Sequence, residues 1–372
     1  MKSQYLLSVI GLVSLGVSSL AALPPCLKDA SCIRSQPIQA KFFPELKSQR
    51  VLIKYGPFPV PTVGKNHEMG TYNFPIAPPC TDCMITEAVA SLEYTDGKTA
   101  NANTGMYLHH AVIFNNHTTS ASCPNIPAPV FASGNERTVT SISVNGTVKA
   151  GYAIQKNETQ FLAAIEIMNE AEPRDAFTTI EWEFIPSIPA DFKRAVFVWL
   201  DVDGPCLQRG GEVPVPEGAK AFTLEMKPPW TATISGDVLQ LASHMHDGGD
   251  EQYVLRNNDV VCTGKARYGE KPGYVSSGDH SNHGGEGGGE GGGGGGGGGH
   301  HDGHGFSPVQ RRHEDMPHVS SISSCFNAGR VEVGDKWHVK ANYNLTRYPP
   351  MNMGGHLEPV MGITMMYVAL DK

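Results

Sequence analysis

The chain has 372 residues, of which 40% are hydrophobic and only 18% charged, so most of it can bury a core and it is not a disordered protein. Its length allows roughly two domains of ordinary size. With a net charge of −8 at pH 7 and no basic stripe along the sequence, nothing favours a nucleic-acid partner.

Residues 1–22 have the pattern of a secretory signal peptide. A basic start at Lys2 is followed by an apolar run from Tyr5 to Leu20 and by two alanines. No later stretch approaches the roughly 18 uninterrupted apolar residues that a membrane span needs, so we predict no span. We expect a secreted protein, extracellular or in the cell wall. Four Asn-X-Ser/Thr triplets predict glycosylation at Asn116, Asn145, Asn157 and Asn344.

From residue 51 onward, short segments rich in β-branched and aromatic residues alternate with Gly, Pro, Asn and Asp, and no long stretch keeps a helical period. This pattern predicts an all-β protein made of two tandem jelly-roll-like β-sandwich domains. In the first half the predicted strands are 51–55, 88–94, 105–114, 138–144, 161–167, 177–184 and 195–200. In the second half they are 221–226, 238–244, 252–256, 331–333, 337–343 and 363–369.

The Pro-containing stretch 186–191 predicts the boundary between a first sandwich, 23–189, and a second, 190–372. Residues 276–306 form a Gly/His-rich insert in the second half, with nine consecutive glycines at 291–299. Glycine at this density cannot bury enough surface to offset its chain entropy, which predicts a flexible loop. Its five histidines either bind metal loosely or belong to a neutral spacer.

The cysteine count bears on the redox compartment. All eight cysteines follow the predicted signal peptide, and an even number in a secreted protein favours disulfides. We predict a bridge between Cys262 and Cys325, which flank the insert. We also predict that Cys80 or Cys83 pairs with Cys123, because these cysteines bracket the strand 105–114. The alternative for Cys80 and Cys83, half of a zinc site, lacks a second close Cys/His pair.

Two histidine pairs are the candidate metal ligands. His244 and His246 end a predicted strand ahead of Asp-Gly-Gly, and on a regular strand they share one face about 7 Å apart. Such a pair can bind one metal ion through both imidazoles. His109 and His110 are adjacent, so they share an ion only if the backbone is irregular there, as at a bulge or strand end. For each pair, core or surface histidines without a metal are the alternative.

These motifs carry a family resemblance. The Tyr-Leu-His-His element at 107–110, the His-X-His element at 244–246 and a methionine before the terminal strand resemble the copper type II, ascorbate-dependent monooxygenases, which hydroxylate peptidylglycine or dopamine. A closer resemblance is to the stress-up-regulated nodulin-like secreted proteins of plants and fungi. That family shares both elements and a terminal His-X-X-X-Val-Met-Gly, matched here by 356–362. The resemblance runs from about Val51 to the C-terminus, without the insert.

The resemblance implies two β-sandwich domains that each present one copper. His109 and His110 would bind an electron-delivering copper in the first. His244, His246 and Met361 would bind an oxygen-handling copper in the second, with ascorbate as the reductant. Imidazole with a soft thioether stabilises Cu(I) better than a hard ion. On periodicity alone, Met361 is instead a core methionine.

Three positions depart from the family pattern. Glu166 stands where the monooxygenases have the third histidine of the first site, and a carboxylate is a harder ligand that favours Cu(II). The other interpretation of Glu166 is a solvated strand residue. Ala242 replaces an arginine that holds the substrate carboxylate in the peptide-amidating enzymes, and Met365 replaces a tyrosine. Recognition of an amidation substrate is therefore not supported.

We therefore predict a secreted, glycosylated, disulfide-bonded protein that binds one or two copper ions. As an enzyme it would hydroxylate a C–H bond of a small-molecule or peptide substrate, using O2 and ascorbate or a similar reductant. The alternative is a non-catalytic extracellular copper-binding or stress protein that retains the fold. A third hypothesis is a structural glycoprotein without metal.

Overall fold

The computed structural model describes residues 33–63, 69–206, 211–276, 316–353 and 356–371. The predicted signal peptide, residues 277–306 of the predicted insert, and Cys26 and Cys32 lie outside these ranges. Within them the chain is built from strands, and helix is limited to short 3-10 turns at Pro44–Leu46, Ala102–Thr104 and Pro272–Tyr274. The all-β prediction is confirmed.

The strands are numbered in chain order. Those of the first half are β1 (Arg34–Ile38), β2 (Gln49–Val60), β3 (Gly70–Ile76), β4 (Cys83–Tyr94), β5 (Met106–Thr119), β6 (Pro127–Ser133), β7 (Thr140–Ser141), β8 (Ala150–Ile154), β9 (Phe161–Asn169) and β10 (Arg174–Ile185). Those of the second half are β11 (Lys193–Asp201), β12 (Ala221–Glu225), β13 (Trp230–Thr231), β14 (Gly236–His244), β15 (Gly249–Arg256), β16 (Asp259–Tyr268), β17 (Val275–Ser276), β18 (Met316–Pro317), β19 (Val319–Ile322), β20 (Cys325–Phe326), β21 (Arg330–Val331), β22 (Lys336–Asn344), β23 (Asn352–Met353), β24 (His356–Leu357) and β25 (Ile363–Leu370).

Among these residues, most strands belong to one long sheet and two smaller ones. The 11-stranded sheet has the order β1-β2-β10-β4-β8-β11-β25-β14-β20, with β7 beside β4 and β21 beside β14. A four-stranded sheet has the order β3-β9-β5-β6, and a six-stranded sheet has the order β12-β22-β15-β16-β19 with β13 beside β22. Strands β17 and β18 form a two-stranded antiparallel sheet, as do β23 and β24.

Two hydrophobic cores lie on opposite faces of the strands β11, β14 and β25. Phe197 and Trp199 of β11 pack into the first core, which also contains residues of β2, β4, β5, β9 and β10. The alternate residues Val198 and Leu200 pack into the second core, with residues of β15, β16 and β22. Because both faces are buried, β11 is an almost continuous apolar run rather than an alternating one.

The predicted boundary at 189/190 falls just before this shared strand. Beyond it, the chain enters β11, which pairs in parallel with β8 of the first half through Lys193 and Arg194. On its other edge β11 pairs with β25 from Ala195 to Asp201. Strands from both predicted domains therefore hydrogen-bond within one sheet.

One of the predicted disulfides is present in the structure, and the other is replaced by two different pairings. Cys262 is joined to Cys325, as predicted, with 5.9 Å between their Cα atoms. The predicted pairing of Cys80 or Cys83 with Cys123 is wrong. Cys83 pairs instead with Cys80, 6.1 Å away between Cα atoms, where the chain turns into β4. Cys123 pairs with Cys206, 83 residues further along the chain.

The physical reason lies in the chain path between the cysteines. The short segment before β4 brings two Cα atoms into disulfide range without help from the rest of the fold. Cys123 follows β5, and the end of β11 brings Cys206 within 5.1 Å between Cα atoms. This bridge ties the two halves of the chain together, a pairing that no local spacing could indicate.

We predict that replacing Cys262 and Cys325 by alanine lowers the free energy of unfolding by about 4 kcal/mol, because their bridge closes a long loop of the unfolded chain. The measurement is urea unfolding of the purified protein. The control is the Cys80→Ala/Cys83→Ala pair, whose short loop predicts a loss of about 2 kcal/mol. Equal losses for the two pairs would contradict the loop-closure explanation.

Candidate metal centre

A bulge in β5 turns His109 and His110 toward one region. The pairing of β5 with β9 runs regularly to Leu108 opposite Ile167, then resumes with His110 opposite Glu166, so that His109 is an extra residue. Such an insertion re-aims side chains that would otherwise point to opposite faces. The two imidazole centroids lie 4.1 Å apart. The irregular backbone that the adjacent histidines required is confirmed.

His244 and His246 lie where β14 ends. His244 is the last residue of the strand, and the centroids of the two rings are 5.4 Å apart. The chain then turns through Gly248, whose φ of 96° is readily available only to glycine. The Tyr268 hydroxyl fixes this turn by accepting the Gly248 N–H at 3.0 Å and donating to the Gly249 carbonyl at 2.7 Å.

The two histidine pairs meet in one cluster, although the family resemblance assigned them to separate coppers. His110 Nε2 is 3.3 Å from His246 Nε2. Ligand atoms of His109, His110 and His246 all lie within 4.8 Å of one another. The His244 ring faces the same cluster, with its centroid 5.3 Å from that of His110.

All four imidazoles have Nδ1 beside an acceptor oxygen, but among the described residues only His109 also has an acceptor oxygen at Nε2. The Nδ1 donor bonds are His110 to Glu166 Oε2 at 2.7 Å, His244 to Glu136 Oε2 at 3.0 Å and His246 to the Pro359 carbonyl at 2.7 Å. Since carboxylate and carbonyl oxygens only accept here, each ring carries a proton on Nδ1, and Nε2 is the atom left to hold a metal. This is the usual arrangement of metal-bound histidines.

The Nε2 atoms lack the partners that buried nitrogens normally have. His244 Nε2 is buried and has no hydrogen-bond partner within the described ranges. Burial and the charge of His109 hold the pKa of His110 well below its usual range, and burial lowers the pKa of His246 to about 4. Both rings are therefore neutral, with two Nε2 lone pairs facing each other. A metal ion with tetrahedral bonds of 2.0–2.1 Å would hold two nitrogens about 3.3 Å apart, so the donors fit a metal.

His109 differs from the other three because both of its nitrogens meet carboxylates. Nδ1 is 3.3 Å from Glu166 Oε2 and Nε2 is 2.9 Å from Glu358 Oε1. Burial opposes its positive charge, but the hydrogen bonds to these carboxylates outweigh burial and raise the pKa of His109 to about 10. In this arrangement His109 is an imidazolium beside the cluster.

Glu166, predicted as a possible metal ligand, lies against the Nδ1 atoms of His109 and His110. Its carboxylate therefore orients these two imidazoles from their Nδ1 sides. Despite burial, hydrogen bonds from both histidines hold the pKa of Glu166 well below its usual range, so the carboxylate is charged.

Met361 is 3% exposed and belongs to the first hydrophobic core. Its backbone is tied to the histidine cluster through Tyr343. The Tyr343 hydroxyl donates to the Met361 carbonyl at 2.6 Å and accepts the backbone N–H groups of Met361 and His246, both at 3.2 Å. Met361 as a copper ligand remains a prediction. Ala242 and Met365 face each other across β14 and β25 and are both buried in that core.

Sequence reasoning missed two acidic residues of the cluster, Glu136 and Glu358. Glu358 lies inside the terminal motif 356–362, and its place in that motif could have marked it as a residue of the cluster. Glu136 lies in the turn after β6, where nothing in the sequence points to His244. Gly134 of the same turn is more informative, because a Cβ atom there would lie 2.3 Å from His244 Cε1. The turn must therefore pass close to the imidazole.

Within the described ranges, no helix is long and apolar enough to cross a membrane. No model of a known protein family matches the chain. Among solved structures, PNGase F, a glycosylasparaginase from Flavobacterium meningosepticum, aligns over 87% of this chain and 96% of its own at 8% identity and a TM-score of 0.36. PNGF-II aligns over 85% of this chain and 65% of its own at 10% identity and a TM-score of 0.38. Scores this low support no conclusion.

Two curated relatives are informative. Over 320 residues, 85% of this chain and 71% of the relative, the chain is 30% identical to a protein of a Phoma species named probable copper-dependent oxygenase M1. Over 283 residues, 75% of this chain and 77% of the relative, it is 30% identical to probable copper-dependent oxygenase clz3 of Cochliobolus lunatus. Since the matches span most of each sequence, this chain belongs to the family of probable copper-dependent oxygenases.

Proposed function

We propose that the protein is a secreted copper-dependent oxygenase whose metal is bound by the Nε2 atoms of His110, His244 and His246. The observation that carries this proposal is the shared hydrogen-bond pattern of the three rings. Each donates from Nδ1 to a fixed acceptor, so that Nε2 is the atom left to hold a metal, and the Nε2 atoms of His110 and His246 lie 3.3 Å apart. The names of the two relatives supply the metal and the class of reaction.

The donor set suits copper. Imidazole binds copper, zinc, iron and nickel, whereas hard ions such as Mg²⁺ prefer oxygen ligands. We propose Met361 as a further ligand, since its backbone and that of His246 share the Tyr343 hydroxyl. A thioether added to imidazoles would favour Cu(I), the state that must meet O2.

The surrounding residues have defined tasks in this proposal. Bound copper would supply one-electron and O2 chemistry for hydroxylation of a substrate C–H bond, with ascorbate or a similar reductant. Glu136, Glu166 and the Pro359 carbonyl orient the three imidazoles and raise their basicity. His109 holds a proton between Glu166 and Glu358, so its positive charge offsets one of the two negative charges that these carboxylates place beside the cluster.

Secretion is part of the proposal. The three disulfides within the described ranges are stable in an oxidising compartment and unusual in a reducing one. Asn145 and Asn157 of the predicted glycosylation sites are exposed, as an attached sugar requires. Glycosylation and cleavage after residue 22 remain predictions.

One observation favours a second candidate function, extracellular copper binding without catalysis. The resemblance implies two separate coppers for oxygen chemistry, whereas His109 and His110 lie in the same cluster as His246. Glu166 also occupies the Nδ1 side of the first pair instead of supplying a third imidazole.

We predict that the purified protein contains close to one copper per chain and that His110→Ala or His246→Ala removes it, because each substitution deletes one of the converging Nε2 donors. Elemental analysis after dialysis measures this. His117→Ala is the matched control, since His117 is exposed at the far end of the same strand as His110. Two coppers per chain, one retained in His246→Ala, would support separate sites instead.

Glu136→Gln should weaken copper binding by about 10- to 100-fold, because the neutral amide no longer polarises the His244 Nδ1–H. Competition with a copper chelator of known affinity measures the change. The control is Glu93→Gln, which removes a carboxylate paired with Lys54 on the surface. Unchanged affinity in Glu136→Gln would exclude His244 from the metal site.

Oxygen consumption separates an oxygenase from a copper-binding protein. With copper and ascorbate, the wild type should consume O2 faster than His246→Ala at equal total copper, because the bound ion must cycle between oxidation states. Rates measured with an oxygen electrode that are equal in the two proteins, despite stoichiometric copper in the wild type, would favour the non-catalytic candidate.

A further inference from the structure

His318 lies between the two histidine motifs without belonging to either. It is located immediately before β19 and is 1% exposed. Both of its ring nitrogens contact polar side chains. A buried histidine with partners on both sides can fix the relative position of the segments that supply them.

On one side, His318 contacts the turn that carries His246. Asp247 directly follows His246, and its Oδ2 atom accepts a hydrogen bond from His318 Nδ1 at 2.6 Å. The other carboxylate oxygen accepts the backbone N–H of Val319 at 2.9 Å. Both oxygens of Asp247 are therefore held by consecutive residues of the neighbouring strand, which leaves the turn little freedom.

On the other side, His318 contacts the strand that carries His109 and His110. Its Nε2 atom is 3.1 Å from the Tyr107 hydroxyl, and the two rings meet edge to face with 4.9 Å between their centroids. The Tyr107 hydroxyl donates to Glu170 at 2.7 Å, so its oxygen is left to accept from His318. Ser276 Oγ is a further neighbour of Nε2, at 2.9 Å.

We propose that His318 is a positioning residue of the metal centre: it joins the turn carrying His246 to the bulged strand carrying His109 and His110. Tyr107, Asp247 and His318 are each 6% exposed or less, so a broken contact leaves a buried polar group without a partner. The inference rests on the proposed function only in treating the neighbouring histidines as ligands.

Two substitutions separate the two contacts of His318, the one with Asp247 and the one with Tyr107. In His318→Asn the amide nitrogen reaches the place of Nδ1, which retains the Asp247 contact and loses Tyr107. In His318→Gln it reaches the place of Nε2, which retains Tyr107 and loses Asp247. Ser276→Ala is the matched control, because it removes another neighbour of Nε2 and leaves the bridge intact. The Cys262→Ala/Cys325→Ala protein controls for a general loss of stability, because it changes none of the residues that contact His318.

Hydrogen exchange of the metal-free proteins and electron paramagnetic resonance of their Cu(II) forms are the measurements. In His318→Gln, amides 246–249 should exchange faster than in the wild type. Both His318 variants should bind copper at least about tenfold more weakly and give an altered Cu(II) spectrum. Both controls should match the wild-type spectrum.

Wild-type exchange at 246–249 in His318→Gln would overturn the proposal, as would a disulfide control that reproduces the altered exchange. If the wild type binds no copper, the proposed function fails, and exchange in the metal-free proteins still decides whether His318 positions the turn. If His318→Gln does not fold, Asp247→Asn replaces it, because this change weakens the same contact from the other partner.

Discussion

Burial of four imidazoles in one place is the constraint on which the rest of the structure depends. A buried imidazole needs a partner for each nitrogen, and here the Nδ1 atoms are satisfied by carboxylates and one carbonyl. The histidines and their acidic partners are separated by 56 to 249 residues along the chain. Such distant segments meet only because the bulge in β5, the end of β14 and the segment before β25 lie at the same place, and the sheets supply that geometry.

The cluster assigns different states to adjacent residues. His109 and His110 share the acceptor Glu166, yet His109 is charged and His110 is neutral. The difference comes from Glu358, which forms a hydrogen bond with His109 but none with His110, and from the repulsion that a charged His109 exerts on its neighbour. The carboxylate of Glu358 therefore determines that His109 holds an extra proton while His110 keeps a lone pair for a metal.

Local patterns were sufficient for part of this architecture. Alternating β-branched segments predicted the all-β class, Asp-Gly-Gly predicted the turn after His246, and two adjacent histidines required the bulge at His109. Of the predicted strand 138–144 only Thr140 and Ser141 form a strand (β7); the chain turns from residue 142 on, with Val144 at a φ of 49° that a strand does not allow. The partners of Cys123, His244 and His318 depend on contacts between remote strands, and short-range periodicity carries no information about those contacts.

The sharing of β11, β14 and β25 by both cores has a mechanical consequence. Proteins built from two lobes on a linker can admit a ligand by swinging the lobes apart. Here such a swing would break the pairing of β11 with β8 and pull the first core away from the faces of β11, β14 and β25 that pack into it, exposing apolar side chains. The region that holds the histidines is therefore rigid, and any ligand has to reach these buried side chains past the turns at the ends of the strands.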